Sequence, residues 1–217
     1  MSQFGTTEPH FGEIGFAELL DRSRSGDSVA LGQLWERYNP QLIAFLRSLG
    51  MSEADDIASE TWISVARALK TFDGRERNFR MLLFHIARRR VTDHLRKFYR
   101  DRSVATGDEP FTRLPSSTTV TIGEGSVDDA LELLRMIPGA QAEVIALRIL
   151  ADLDVGEVAE IVGRSEGSVR VLCHRGLNKL NEILSARQDA ASQQAVRGQA
   201  NEFQLSAGPS ARGGDCG

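Results

Sequence analysis

Apolar residues recur at three- and four-residue spacing along most of this chain, which predicts a protein built from helices. The first helix is expected over Phe16–Ser25, stopped by Gly26 and Asp27. The second carries Leu34, Trp35, Tyr38, Leu42, Phe45, Leu46 and Leu49, with Gly50 at its end. Pro40 lies inside it and predicts a kink or break near Asn39, because proline has no N–H to donate. A third helix is expected over Ser52–Leu69, with Ser52 as N-cap and Asp55 completing a near capping box. Its seam is Ala58, Trp62, Val65 and Leu69, and Asp56, Glu60, Ser64 and Arg67 form a polar stripe. Phe72–Phe79 reads as a loop, followed by a long basic helix over Arg80–Arg100. The inner side of that helix holds Phe79, Leu83, Ile86, Ala87, Val91, Leu95 and Phe98.

Residues 101–126 are rich in Gly, Pro, Ser and Thr and read as a linker. A second helical unit follows over 127–184. Within it, Val155, Val158, Ala159 and Val162 share one face of a short helix, and Gly163 is placed to end it with positive φ. Ser165 stands where an N-cap belongs. Val169, Leu172, Cys173, Gly176, Leu177 and Leu180 then form one inward stripe. The opposite face carries Ser168, Arg170, Val171, His174, Arg175 and Asn178. Donors, cations and one small apolar group are what a helix needs to read base edges and hold phosphates. Two helices around a tight turn, the second so furnished, make a helix-turn-helix. A plain helical hairpin with a solvated basic face has the same periodicity. The rest of the chain favours the DNA-binding reading.

Charge changes the picture by where it lies. The 217 residues carry a net charge of −4, which does not fit a simple nucleic-acid coat protein. Yet Arg75–Arg102 holds ten Arg or Lys against three acids, and Ser103–Asp129 holds five acids and one Arg. A local basic patch on an acidic chain binds DNA weakly alone and better within a larger assembly. The two cysteines, Cys173 and Cys216, provide no disulfide framework and no metal spacing, which fits a reducing cytoplasm. The four histidines are scattered. No paired carboxylates with metal spacing, nucleophile–base arrangement or phosphate-binding glycine loop points to an enzyme. No apolar run reaches membrane-spanning length. Residues 1–14 read as a loose leader, and 185–217 as a disordered tail too poor in large apolar groups to offset its chain entropy.

The order of parts over about residues 16–182 resembles the extracytoplasmic-function (ECF) sigma factors, two-domain promoter-recognition subunits of bacterial RNA polymerase. Three segments carry the resemblance. ADDIASETWISVARAL, Ala54–Leu69, is similar to region 2.2 of the family, which docks on the clamp of the polymerase β′ subunit. It implies core-polymerase contacts by Asp55, Asp56, Glu60, Thr61 and Trp62. FRMLLFHIARRRVTDHLRKFYR, Phe79–Arg100, resembles regions 2.3 and 2.4, which melt and capture the −10 element. That implies a base-capturing loop using Asp73, Arg75, Arg77, Asn78 and Phe79, and a DNA-facing helix side of His85, Arg88, Arg89, Thr92 and Arg96. Arg90, Asp93 and His94 fall nearer the packed side, as an internal polar network. The family commonly has Trp at Leu82 and Asn at Arg89; an Arg there favours guanine edges or phosphates. The helix-turn-helix, preceded by LLRMIPGAQAEVIALRILADLD, resembles region 4, which reads the −35 element. It implies contacts by Ser168, Arg170, Val171, His174 and Arg175, with Arg148, Arg164 and Lys179 on phosphates.

The resemblance implies an all-α, two-domain, non-enzymatic transcription initiation factor without cofactor or metal. Residues 15–100 are expected to form sigma region 2 and 127–184 sigma region 4. The implied partners are the β′ clamp and β subunits of core polymerase, promoter DNA and an anti-sigma factor, with no membrane insertion. Linking two weak DNA sites raises the effective concentration of the second. The rival reading, a stand-alone helix-turn-helix regulator, requires a dimerisation or sensing domain within 16–100, and none is visible there.

Overall fold

The computed structural model describes residues 15–102 and 127–206, and the described elements are eight α-helices. They are α1 (Phe16–Arg24), α2 (Ser28–Ser48), α3 (Ala54–Leu69), α4 (Glu76–Arg102), α5 (Val127–Arg135), α6 (Gly139–Ile149), α7 (Val155–Val162) and α8 (Glu166–Ser206). The expected leader, most of the expected linker and residues 207–217 lie outside the described residues. The chain divides into two units at Gly176–Leu177, so α8 contributes residues to both.

In the first unit, α1, α2, α3 and α4 pack around one aromatic-rich core. The turn into α2 is fixed locally. Gly26 takes φ 88°, and Asp27 caps α2 by accepting from the Val29 and Ala30 amides at 2.8 and 3.2 Å. Arg22 Nε donates to the other Asp27 oxygen at 2.9 Å. The helix then continues through Pro40 as one element, so of the expected kink or break near Asn39 the break does not occur. Leu34, Tyr38, Leu42, Phe45 and Leu46 are buried on both sides of the proline, so tertiary packing outweighs the one missing hydrogen bond.

α3 begins at Ala54, and Glu53 at its N-cap makes no side-chain bond, so the expected Ser52 capping box does not form. The basic helix starts earlier than expected, at Glu76, so Glu76–Phe79 are its first turn instead of loop. Phe84, absent from the expected apolar side, is fully buried and meets Phe45 edge-on at 5.4 Å.

α5, α6 and α7 belong to the same unit: α5 and α6 pack on α2, and α7 packs on α4 and α6. α7 opens on a complete capping box. Asp154 accepts from the Glu157 amide at 2.9 Å, and Glu157 accepts from the Asp154 amide at 2.7 Å. It closes at Gly163 with φ 67°, as the sequence predicts. Ser165 bonds the Ser168 amide at 3.3 Å, the expected N-cap of α8. Gly176 marks a close approach of α8 to α6: a Cβ there would lie 2.6 Å from Ile145 Cδ1 and 3.1 Å from Gln141 Cβ. The expected disordered tail from 185 is helical through Ser206, in a run rich in Ala and Gln, both good helix formers.

Candidate nucleic-acid interface

Three surfaces matter, and each is built from helix periodicity. On α3, Asp55, Asp56, Ser59 and Glu60 are exposed. Thr61 and Trp62 are not part of that surface. Thr61 is fully buried with its hydroxyl on the Ile57 carbonyl at 2.7 Å. Trp62 is buried, and its Nε1 donates to Asn39 Oδ1 at 3.1 Å. α3 is covered by both α2 and α4, so its buried arc is wider than one seam and takes in both neighbours. The apolar group that does face outward is Ile63, 54% exposed, which the sequence reading passed over. With Glu53, Asp56, Ile57, Ser59, Glu60 and the Arg90–Lys97 side of α4 it lines an open groove. Arg90 bonds Ser64 Oγ at 2.7 Å and lies 3.7 Å from Glu60, and His94 stands 3.6 Å from Glu53. Arg90 and His94 thus make polar contacts toward α3, whereas Asp93, expected in an internal network with them, is exposed and lies 3.6 Å from Arg96.

The second surface is the segment 72–80 with the outer side of α4. Asp73, Arg75, Arg77 and Asn78 are exposed. Asn78 folds back to accept from the Arg75 amide at 3.1 Å. Gly74 has no room for a side chain, since a Cβ would meet Phe72 Cζ at 2.7 Å and Asn78 Cβ at 2.9 Å. Phe79 is fully buried, as its place on the apolar side of the helix predicts and against the base-facing role that the resemblance implies. It is the hub of an aromatic cluster with Phe16, Tyr38, Trp62 and Phe72 at centroid distances of 5.1–6.4 Å. Its work is to seat the segment. Glu76 anchors the start of α4 by accepting from the Tyr38 hydroxyl at 2.7 Å and Arg37 at 3.1 Å. Burial, reinforced by that bond, pushes the Tyr38 hydroxyl upward, so it remains a donor.

Along α4, His85, Arg89 and Arg96 are exposed, and Arg88 and Thr92 are half-buried. Arg96 lies 3.6 Å from Asp93, and Thr92 bonds the Arg88 carbonyl. Three arginines reach across to α6, α7 and the turn between them. Arg77 bonds both Asp154 and Glu157, Arg80 bonds Asp152 at 2.8 Å, and Arg88 bonds Glu143 at 2.8 Å. The Glu157 contact, above all, raises Arg77, so its charge is secure. Burial pushes the Glu143 carboxyl up, and Arg88 opposes that shift. Arg80 was not among the expected contacts, because the sequence pattern placed it at a helix start.

The third surface is the start of α8. Ser168, Arg170, Val171, His174 and Arg175 are all exposed, and Val169 is fully buried beneath them. Arg170 pairs with Glu166 one turn back at 2.6 Å. Arg164 is exposed, whereas Arg148 is half-buried and donates to the Leu153 carbonyl at 2.9 Å, which ties down the turn before α7. In the second unit, Lys179 pairs with Glu182 at 2.8 Å, and Leu177, expected on the inward stripe, is 47% exposed. Cys173 is a half-buried free thiol. Among the described residues no group of three or more His, Cys, Asp or Glu is placed to hold a metal ion. No helix there is long and apolar enough to cross a membrane.

Comparisons with known proteins meet these surfaces. Residues 34–101 match the family Sigma-70 region 2, and residues 128–180 match Sigma-70 region 4. The ECF RNA polymerase sigma factor SigD of Mycobacterium tuberculosis is 33% identical over 175 residues, 77% of this chain and 82% of SigD. The ECF sigma factor BldN of Streptomyces coelicolor is 30% identical over 175 residues, 77% of this chain and 65% of BldN. Among solved structures, CnrH in complex with the cytosolic domain of CnrY is similar at a TM-score of 0.54 and 26% identity, covering 77% of this chain and 96% of CnrH.

Proposed function

Because the chain belongs to the ECF family of RNA polymerase sigma factors, which bind core polymerase and direct promoter recognition, we propose how its surfaces divide that work. The exposed carboxylates of α3, Asp55, Asp56 and Glu60, dock on the β′ clamp, with Ile63 as the apolar anchor beside them. Thr61 and Trp62 support that helix from within. The observation that carries this reading is the row of exposed acids flanking a 54%-exposed isoleucine, a charged rim around an apolar contact.

Residues 15–100 then act as region 2. Segment 72–80 and the side of α4 bearing His85, Arg88, Arg89, Thr92 and Arg96 receive the melted −10 strand. Cations on its phosphates and a shaped pocket for an unpaired base supply the binding energy, so strand separation needs no ATP. Phe79 seats that pocket from beneath; Asp73, Arg75, Arg77 and Asn78 face the strand. Residues 127–184 act as region 4, placing Ser168, Arg170, Val171, His174 and Arg175 in the major groove of the −35 duplex, with Arg164 and Lys179 on phosphates. Sigma factors are non-catalytic, and this one works in the cytoplasm beside the polymerase. CnrH is held by the cytosolic domain of CnrY, and an anti-sigma factor of comparable role is expected here.

The test is fluorescence-polarisation binding of the full chain to core RNA polymerase, with an Asp56→Lys, Glu60→Lys variant alongside. Charge reversal is expected to weaken binding by at least about tenfold. Undiminished binding by the folded variant would move the dock elsewhere.

A further inference from the structure

The three arginines that cross from α4 define a surface that already has an occupant. Arg77, Arg80 and Arg88 lie along one side of the α4 start, and their partners Asp154, Glu157, Asp152 and Glu143 come from α6, α7 and the turn between. Arg77 and Arg88 are also two of the cations assigned above to the −10 strand. A row of carboxylates spaced along a cationic groove presents what a phosphodiester backbone presents: one negative oxygen-bearing group per step. We propose that the acidic face of α6 and α7 is a surrogate for the DNA strand, occupying the α4 arginines in the uncomplexed chain and yielding them when the promoter strand arrives. The proposal rests on the region 2 reading of α4.

The chemistry of the contact suits exchange. Glu143 sits in a buried apolar stretch with Ala142, Val144, Ile145, Ala146 and Leu147, and is itself 4% exposed. An ion pair in such a place gains little over two hydrated charges, because desolvation cancels most of the attraction. When α6 withdraws, Glu143 rehydrates and Arg88 is released to a phosphate, so neither charge is stranded. Arg80 shows the fit is incomplete: its Nε is buried with no acceptor among the described residues, although its Nη1 holds Asp152. A donor in that state gains from a phosphate oxygen that can take a second bond. Asp152 itself is the least constrained partner, with its side chain 82% exposed.

The test compares the full-length wild type with a variant carrying Glu143→Gln, Asp152→Asn, Asp154→Ser and Glu157→Gln. Ser and Gln preserve the capping box of α7, and Asn tolerates the positive φ of 49° at position 152. A charge-matched control neutralises Glu18, Asp21, Glu36 and Asp189, all exposed and elsewhere. The probe is a fluorescein-labelled oligothymidylate single strand, read by polarisation, with the radius of gyration of the free protein measured by X-ray scattering. The variant is expected to bind about tenfold more tightly than the control, as released arginines engage phosphates, and to have a larger radius of gyration. Equal affinity of variant and control would overturn the proposal. So would tighter binding without expansion, since that reads as lost repulsion alone. Should the fourfold variant not fold, Asp152→Asn alone must shift affinity in the same direction by about twofold, and no shift overturns the proposal. The underlying region 2 reading fails separately: holoenzyme carrying Arg89→Ala and Arg96→Ala would then open promoters as well as wild type, whatever the free chain does.

Discussion

The outer side of α4 and the start of α8 are both cationic helix faces, yet they are furnished differently. On α4, Arg77, Arg80 and Arg88 are met by carboxylates 55–80 residues away in sequence, and Arg96 alone of the paired arginines on that side has a local partner, Asp93. On α8, Arg170 pairs with Glu166 and Ser168 with Ser165, each within one turn. The first set depends on how distant helices come together, and the second on the opening turns of a single helix. Under the proposed division of work, α8 reads duplex DNA and can stand ready, because duplex is always on offer, whereas the α4 face serves only after the duplex has opened.

Removing the support of each face tests that contrast most strongly. Phe79→Ala deletes the hub of the aromatic cluster under α4 and is expected to cost about 3–5 kcal/mol in denaturant unfolding. A cost below about 1 kcal/mol would mean the cluster does not hold the segment. The corresponding support of α8 is the absence of a side chain at Gly176. Gly176→Ala is expected to cost about 2 kcal/mol through overpacking against Gln141 and Ile145, despite the better helix propensity of Ala. A stabilised variant would show that α6 gives way.

Acid should separate the faces next. Asp154 is held below its ordinary 3.8, chiefly by the Glu157 amide and then by Arg77, and Asp27 is lowered chiefly by Arg22. A lowered carboxylate stabilises the fold above its unfolded value and loses that contribution as pH falls through the folded one. Stability is therefore expected to be flat near neutrality and to decline below about pH 4, with Asp154→Ser flattening part of that decline. An unchanged acid limb in the variant would detach Asp154 from it. The smallest effect belongs to Val171→Ala, which removes an exposed side chain from α8. Unfolding stability should move by less than about 0.5 kcal/mol, while affinity for −35 duplex falls. A large loss of stability would place Val171 in the core.

What the sequence made legible follows the same division. The turn at Gly163, the cap at Ser165 and the exposed set on α8 are set by neighbours within a few residues, so periodicity and capping rules reach them. Trp62 stands on the apolar seam that periodicity marks, whereas the burial of Thr61 beside it is set by two helices closing on α3, which widens the inward arc beyond that seam. Phe79 drew two expectations: helical spacing with Leu83 and Ile86 put it on the inner side, and the resemblance turned it to a base; four aromatic rings from α1, α2, α3 and the preceding turn surround it. Pro40 misleads because a local rule is overruled by packing on either side. Arg80, and the partners of Arg77 and Arg88, carry no local signal at all.

The capping box of α7 has a consequence for how this protein can change over generations. Asp154 and Glu157 start α7 and also grip Arg77, so one pair of codons answers to two demands. Drift that loosened the grip would keep the helix only through the few residues that still cap, such as Ser at 154 or Gln at 157, and most other changes would lose both. Asp152 pairs with Arg80, caps no helix and has its side chain 82% exposed. Inherited adjustment of how readily the α4 face is released has its least encumbered route there.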